Sequence, residues 1–417
     1  MTNNRQSNYR WYILTLAALT HTFAVAMPIM CMPVLFKEIA DELGLNLVQV
    51  GTVWGMTSLT GVFVCLVGGL IGDRYGTKRT LSIACLLGGL ASALRGLSGS
   101  FSTLTATVFL FSLLTAIVPM SVHKVCGVWF PRRQLGLANG IVSMGMALGF
   151  MLGSMFSATV LSPLLGGWRN VLFLYGALSI VISIFWFLSK GEAGQVEATT
   201  STSTAPFRQT LLRVARIRNV WFFMLIVAGV TSCSQGMLGY LPLYLREIGW
   251  TVARADGTLA AFHGLSMIGV VPLALLSDRL GSRKRVLFVA ALMTAIGAGL
   301  LSVADGALVW VSVLIAGMVR DGFWAIFSTM VIETEGIGAA HAGTALGLIF
   351  TFSRIGSFAS PPLGNSLADI SLRTPFIFWA GLAAVSLFGF YFVKGTGHSK
   401  DKAIGDGGDA TYTRLPV

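Results

Sequence analysis

The sequence predicts an all-α membrane protein with twelve transmembrane helices in two pseudo-symmetric six-helix bundles. Three observations predict it. The 417-residue chain is 54% hydrophobic and only 11% charged, whereas a soluble domain carries about 25% charged residues. It offers twelve stretches near the ~20 apolar residues that a spanning helix needs. It also repeats itself: Gly69-Leu-Ile-Gly-Asp-Arg-Tyr-Gly-Thr-Lys-Arg79 returns as Ala274-Leu-Leu-Ser-Asp-Arg-Leu-Gly-Ser-Arg-Lys284, and Pro33-Val-Leu-Phe-Lys-Glu-Ile39 returns as Pro242-Leu-Tyr-Leu-Arg-Glu-Ile248. Two matches in the same order, about half a chain apart, mark a duplicated unit. In an apolar chain such duplication is the signature of a transporter built around a central site.

The expected spans, taken in order as helices one to twelve, are 11–35, 49–72, 80–98, 104–129, 136–161, 169–189, 219–243, 255–276, 286–303, 307–331, 342–366 and 374–394. Helices are required because lipid offers no hydrogen bonds to a bare backbone. Residues 1–10 are polar and read as a cytoplasmic tail. Residues 11–189 form the N-terminal bundle. Residues 190–218 are a cytoplasmic linker: Gly191–Pro206 is rich in Ser, Thr, Ala and Glu, which cannot bury apolar surface. Phe207–Arg218 interleaves Leu211, Leu212, Val214 and Ile217 with arginines, the pattern of a helix lying on the membrane surface. Residues 219–394 form the C-terminal bundle, and 395–417 a disordered tail.

The net charge of +12 does not point to nucleic acid, because the basic residues sit in short loops rather than on one face of a domain. With a cytoplasmic N-terminus, the even-numbered loops and the tails hold about 20 of the 29 Lys and Arg and the opposite side about six, the positive-inside bias. Both termini are therefore expected inside, in a multi-pass inner-membrane protein. The five cysteines, Cys31, Cys65, Cys85, Cys126 and Cys233, fall within spans without C-x-x-C spacing and read as small buried hydrophobes.

Six plus six helices with this loop repeat resemble the major facilitator superfamily over residues 11–394. The family signature between helices two and three, G-x-L-A-D-R-x-G-R-R-x-x-L, is matched by Gly69, Asp73, Arg74, Gly76, Lys78 and Leu81, with Thr77 where a basic residue is usual. Asp278, Arg279 and Gly281 form the second copy. Gly76 and Gly281 permit tight turns. The resemblance implies that Asp73 faces a helix N-terminus and latches the halves on the cytoplasmic side, so these residues, with Lys124, are candidate gating elements. Trp129-Phe-Pro-Arg-Arg-Gln-Leu-Gly-Leu-Ala-Asn-Gly-Ile141 looks like the loop after helix four in branches that carry organic acids or nitrate. Helix five carries Gly140, Gly145, Gly149 and Gly153, small residues that let helices approach closely. Their pattern opens like the drug/proton antiporter signature. That signature continues with proline where Ser154 stands, and no cation occurs from Thr105 to Ser112.

Charges at membrane depth cost ~3 kcal/mol or more and are usually functional. The sequence places Lys124, Arg320, Arg354 and a single carboxylate, Asp321, deep in spans, together with His21, His123 and His263. All lie on helices that line the cavity in the family fold. Three cations against one carboxylate leave room for an anionic cargo, and the arginine fork suits a carboxylate. Lys124 also has reach to snorkel to the interface. Arg320 and Asp321 are neighbours pointing ~100° apart and are expected not to pair. Two arrangements remain open: Asp321 neutralises Arg354 and leaves Arg320 for cargo, or it faces elsewhere and Arg354 takes that role.

Candidate cargo ligands are thus Arg320, Arg354, His21, Ser234, Gln235 and His263, with Asp321 or His263 as proton carrier. Pro28, Pro33 and Pro242 are candidate bend points, for gating or as plain structural kinks. The expected function is secondary transport of a small mono- or dicarboxylate by alternating access, with protons as the possible coupling ion, in a monomer surrounded by lipid. The competing expectation is a proton-coupled exporter of drug-like or neutral apolar compounds. Metal, cofactor and catalytic motifs do not occur.

Overall fold

In the computed structural model, residues 2–190 and 207–393 are described, and side chains are described outside 2–8, 64–75, 132, 207–208 and 339–340. The expected linker at 191–206 and tail at 395–417 lie outside the described residues, as do the side chains of Cys65, Asp73 and Arg74.

Twelve long helices form among the described residues. Helix one runs through 2–43, without the break expected at residue 10, and contains a π-helical stretch at Thr20–Ala26. Helix two is Leu47–Tyr75, three Thr77–Gly96, four Phe101–Trp129, and five runs 132–165 with a second π stretch at Ser157–Leu161. Helix six is Trp168–Leu188, seven Arg218–Glu247, eight Val252–Leu280, nine Arg283–Leu300, ten Ala307–Glu333, eleven Gly338–Ser366 and twelve Thr374–Phe392. The short helix between the halves spans Phe207–Ala215. Among the described residues, nine helices are long and apolar enough to cross a membrane. Their outward faces carry large apolar side chains such as Phe187, Phe388 and Tyr391, at 71%, 70% and 83% exposure, a surface that only lipid covers without cost.

The helices run longer than expected because polar caps lie beyond the apolar stretches. Asn46 and Gln49 form a capping box at the start of helix two, and Ser100 and Thr103 another at helix four, each filling donors that helix ends leave open. Pro28 and Pro33 leave helix one continuous; its irregularity is the π stretch just before Pro28.

Two contacts join the halves most extensively: helix two against eleven, and five against eight. Helices two and eight carry the two copies of the loop motif, so these contacts are related by the internal repeat. They close at the end of the bundle that carries the one–two, seven–eight and eleven–twelve loops, hereafter the far end. There a Cβ on Gly55 would stand 2.4 Å from the carbonyl oxygen of Phe358, and one on Gly51 2.8 Å from the Pro361 backbone. Small residues are what allow the halves to seal. The Trp54 indole donates to the Gln235 carbonyl at 2.7 Å, Asn365 donates to the Leu47 carbonyl, and Lys37 pairs with Glu247 at 3.2 Å. One apolar cluster spans both halves here, including Phe36, Trp54, Leu238, Tyr240 and Phe262.

At the opposite end, which carries the start of helix one and the end of helix twelve and is hereafter the terminal end, the described residues of the loop motifs act within each half. Gly76 (φ 78°) and Gly281 (φ 59°) take the left-handed region expected of them. Lys78 donates to the Ser189 carbonyl closing helix six, and Lys284 to the Val393 carbonyl closing helix twelve. The duplicated cation therefore caps the last helix of its own bundle in both copies. Asp278 pairs with Arg283, which also grips Glu333 through Nε and Nη2 at 2.7 and 2.8 Å. The second motif is thus engaged inside the C-terminal half; Arg279 and Lys124 are exposed.

Candidate functional site

Two adjoining cavities lie between the sealed far end and the terminal end. The smaller, about 250 Å³, sits at mid-helix level and is lined chiefly by helices seven, ten and eleven. Thr231, Ser234, Gln235 and Leu238 recur at the i, i+3, i+4, i+7 spacing that puts them on one helical stripe. Arg320 and Trp324 come from helix ten at i, i+4, and Ser353, Arg354 and Ser357 from helix eleven. The larger cavity, about 640 Å³, lies nearer the terminal end, between the halves. Its polar groups are His21, His123, Asn139, Ser143 and Asp321, and much of its remaining wall is Met, Val, Ala and Phe150. Trp324 borders both cavities.

Arg320 and Arg354 thus line the same small cavity. The expectation that Arg320 and Asp321 do not pair is wrong: Nη1 of Arg320 meets Oδ1 of Asp321 at 2.9 Å. The Cβ directions do diverge, but the arginine stem is long enough to fold back along the helix to its short neighbour. The Asp321 backbone N–H donates to Ser266 Oγ at 3.1 Å. The Arg320 guanidinium also lies 5.6 Å from the Phe150 ring of the other half, a cation–π contact. Arg354 packs its stem against Gly61 of helix two, where a Cβ would stand 2.9 Å from Cδ and Nε.

Ser234 and Gln235 line the small cavity as expected. His263 does not line either one. It is 1% exposed, its ring lies 5.2 Å from Phe150 and 5.3 Å from Phe262, and neither ring nitrogen has a partner. The substrate-ligand assignment for His263 is corrected accordingly: Phe150 covers it from the cavity side. His21 borders the larger cavity but is 2% exposed, with Nδ1 3.1 Å from the Val142 carbonyl and its ring 5.6 Å from that of His123. Thr20 and Thr22 serve packing: Thr20 donates to Leu16 and accepts from Trp186, and Thr22 donates to the Gly145 carbonyl. The glycines of helix five have the same purpose. A Cβ on Gly145, Gly149 or Gly153 would meet the helix-one backbone at 2.8–3.0 Å, whereas Gly140 borders the larger cavity and has open space.

Two charges escaped the sequence inventory because they lie near span ends. Arg95, 1% exposed on helix three, donates to the Pro28 carbonyl at 2.9 Å and to Ser92 Oγ, with its guanidinium 3.7 Å from the Phe111 ring. Asp256, 0% exposed on helix eight, accepts from Arg246 at 2.5 Å and from Thr159 of the other half at 3.0 Å. Thr159 belongs to the π stretch of helix five, and such stretches often mark functional positions. Four cysteines, Cys31, Cys85, Cys126 and Cys233, are buried and unbridged, as expected. Among the described residues no cluster of His, Cys, Asp and Glu suits a metal ion.

A two-fold repeated helical bundle with cavities at its centre defines a membrane transport protein, and its relatives agree. The family model described as Major Facilitator Superfamily matches residues 14–361 and 271–413; the chain belongs to this family. It is 24% identical to the probable galactarate/D-glucarate transporter GudP of Bacillus subtilis (strain 168), over 86% of this chain and 85% of that one. It is 24% identical to the 4-hydroxybenzoate transporter PcaK of Pseudomonas aeruginosa, over 88% and 93%. It is 24% identical to the probable nitrate/nitrite antiporter NarK1 of Thermus thermophilus, over 85% and 84%. Among solved structures, a bacterial homolog of the human lysosomal transporter Spinster, inward-facing and occupied, superposes with a TM-score of 0.76 at 15% identity, covering 92% and 96% of the two chains. The nucleoside transporter NupG gives 0.73 at 14%, covering 93% and 100%. At these identities the likeness extends to the fold alone.

Proposed function

We propose that this protein is a secondary transporter that moves a small organic anion across the inner membrane by alternating access. The observation that carries the reading is the convergence of Arg320 and Arg354 on one polar cavity at membrane depth. Relatives named for galactarate/D-glucarate and 4-hydroxybenzoate support an organic acid. The positive-inside bias supports cytoplasmic termini, and the conformation would then be closed outside and reached from the cytoplasm. Opening of the two–eleven and five–eight contacts would carry the site to the other face, in a monomer. Proton coupling falls first on Asp321, which borders the larger cavity and holds Arg320. His263 would take a proton only once Phe150 withdraws. The motif residues Asp73, Arg74, Gly76, Lys78, Asp278, Arg279 and Gly281, with Lys124, would shape the cytoplasmic gate.

Uptake of organic acids into vesicles tests the reading. A charge-assisted hydrogen bond is worth about 1.5–3 kcal/mol, so Arg320→Ala and Arg354→Ala are each expected to lower transport by about 10–100-fold. Wild-type transport in both variants sinks the assignment. One observation favours the export reading: the larger cavity is mostly apolar, with Met144, Met146, Phe150 and Met267 in its wall. A resistance screen in an exporter-deficient strain decides it.

A further inference from the structure

Four hydroxyls in the wall of the small cavity have their hydrogens already committed. The Thr231 hydroxyl donates to the Val227 carbonyl at 2.7 Å, Ser234 to Val230 at 3.0 Å, Thr294 to Ala290 at 3.0 Å and Ser353 to Phe350 at 2.9 Å. A hydroxyl has one hydrogen and two lone pairs, so each of these groups, bonded back along its own helix, has acceptor capacity left for anything in the cavity. The Gln235 amide nitrogen donates across the halves to Thr57 Oγ1 at 3.1 Å. Its carbonyl oxygen is another acceptor, and its second N–H a donor. The strong donors of the lining are the guanidiniums of Arg320, which also holds Asp321, and Arg354.

The lining thus offers acceptors on helices seven, nine and eleven, and donors on helices ten and eleven, where the Trp324 indole and the Ser357 hydroxyl join the two arginines. A carboxylate is acceptor-only and belongs with the arginines. The rest of the cargo must supply hydrogens, because a buried acceptor facing an alkyl chain or a second carboxylate stays unpaired, at a cost. Discrimination of this kind exceeds what apolar contact achieves. The volume, about 250 Å³, lies just below the ~300 Å³ lower end of drug-sized pockets, so the cargo is small.

We propose that the cargo is a small polyhydroxylated monocarboxylate, its carboxylate on Arg320 and Arg354 and its hydroxyls donating to Thr231, Ser234, Gln235 and Ser353. This rests on the anion reading above and narrows it against simple aliphatic acids and dicarboxylates. The test measures ligand-dependent thermal stabilisation of the purified, full-length protein with six-carbon probes: the aldonates gluconate and mannonate, hexanoate, adipate and uncharged glucitol. At least one aldonate is expected to half-saturate at a concentration tenfold or more below hexanoate and adipate. Thr231→Val and Ser353→Ala each remove an acceptor with little change of shape. Each is expected to weaken the aldonate about threefold to tenfold and leave hexanoate unchanged, while Arg354→Gln weakens every acid. If hexanoate or adipate binds as well as the best aldonate, with both lost in Arg354→Gln, the hydroxyl proposal is overturned and the anion reading stands. If glucitol binds and none of the acids does, the anion reading itself is overturned. The wild-type ranking decides the matter without relying on any variant.

Discussion

Asp256 provides the sharpest test of how the far end is held shut. Its side chain is 0% exposed and that of Arg246 8% exposed, at 2.5 Å, and Thr159 of the opposite half completes the carboxylate at 3.0 Å. Asp256→Asn keeps the volume but removes the charge, leaving a buried guanidinium without a counter-ion. Breaking a buried pair from one side costs about 3–5 kcal/mol. Arg246 and Asp256 belong to the same half, so only the Thr159 bond across the interface is specific to the closed arrangement. Weakening that charge-assisted bond costs about 1.5–3 kcal/mol and lowers the closed-to-open ratio about tenfold to 100-fold. In a background without native cysteines, Leu238→Cys places a thiol at a site 2% exposed beneath the far-end seal. Labelling by an impermeant maleimide added to intact cells should accelerate by about tenfold or more in Asp256→Asn. The pair Asp256→Leu with Arg246→Met, which removes both charges and also the acceptor of Thr159, should recover thermal stability while labelling stays fast. Unchanged labelling in Asp256→Asn, with the protein folded, would refute the latch.

Two further outcomes follow from packing. Gly149→Ala places a methyl 2.5 Å from Ala26 Cβ and 2.8 Å from the Thr22 carbonyl oxygen, so it should cost about 1–3 kcal/mol as overpacking, whereas Gly140→Ala, with nothing within 4 Å, should be neutral; thermal unfolding in detergent reads both. Arg95→Met removes the donor to the Pro28 carbonyl and should destabilise the protein by about 1–3 kcal/mol while leaving the ranking of cargo affinities unchanged in a binding assay.

Architecture was legible in the sequence because lipid imposes helices on any long apolar stretch, and because duplication printed the same loop twice. The position of Arg320 and Arg354 within long apolar helices was legible too, since a cation in an apolar span is costly enough to need a reason. The partner of Arg320 was not: helix geometry gives the direction of a Cβ, while a long side chain chooses its contact from what surrounds it, here Asp321 and Phe150. The burial of His263 behind Phe150 depends on a residue 113 positions away, which spacing along one chain cannot reveal.

By itself, then, the sequence determined the two bundles, the turns at Gly76 and Gly281, and the depth of the arginines. These depend on local chemistry: hydropathy, backbone freedom and the cost of charge in lipid. The tertiary structure alone decided which end is sealed, that the Lys78 and Lys284 ammoniums cap helices six and twelve, and which hydroxyls line the small cavity with their hydrogens turned back along their own helices. Each of those depends on where a hydrogen goes once helices distant in the chain are packed side by side.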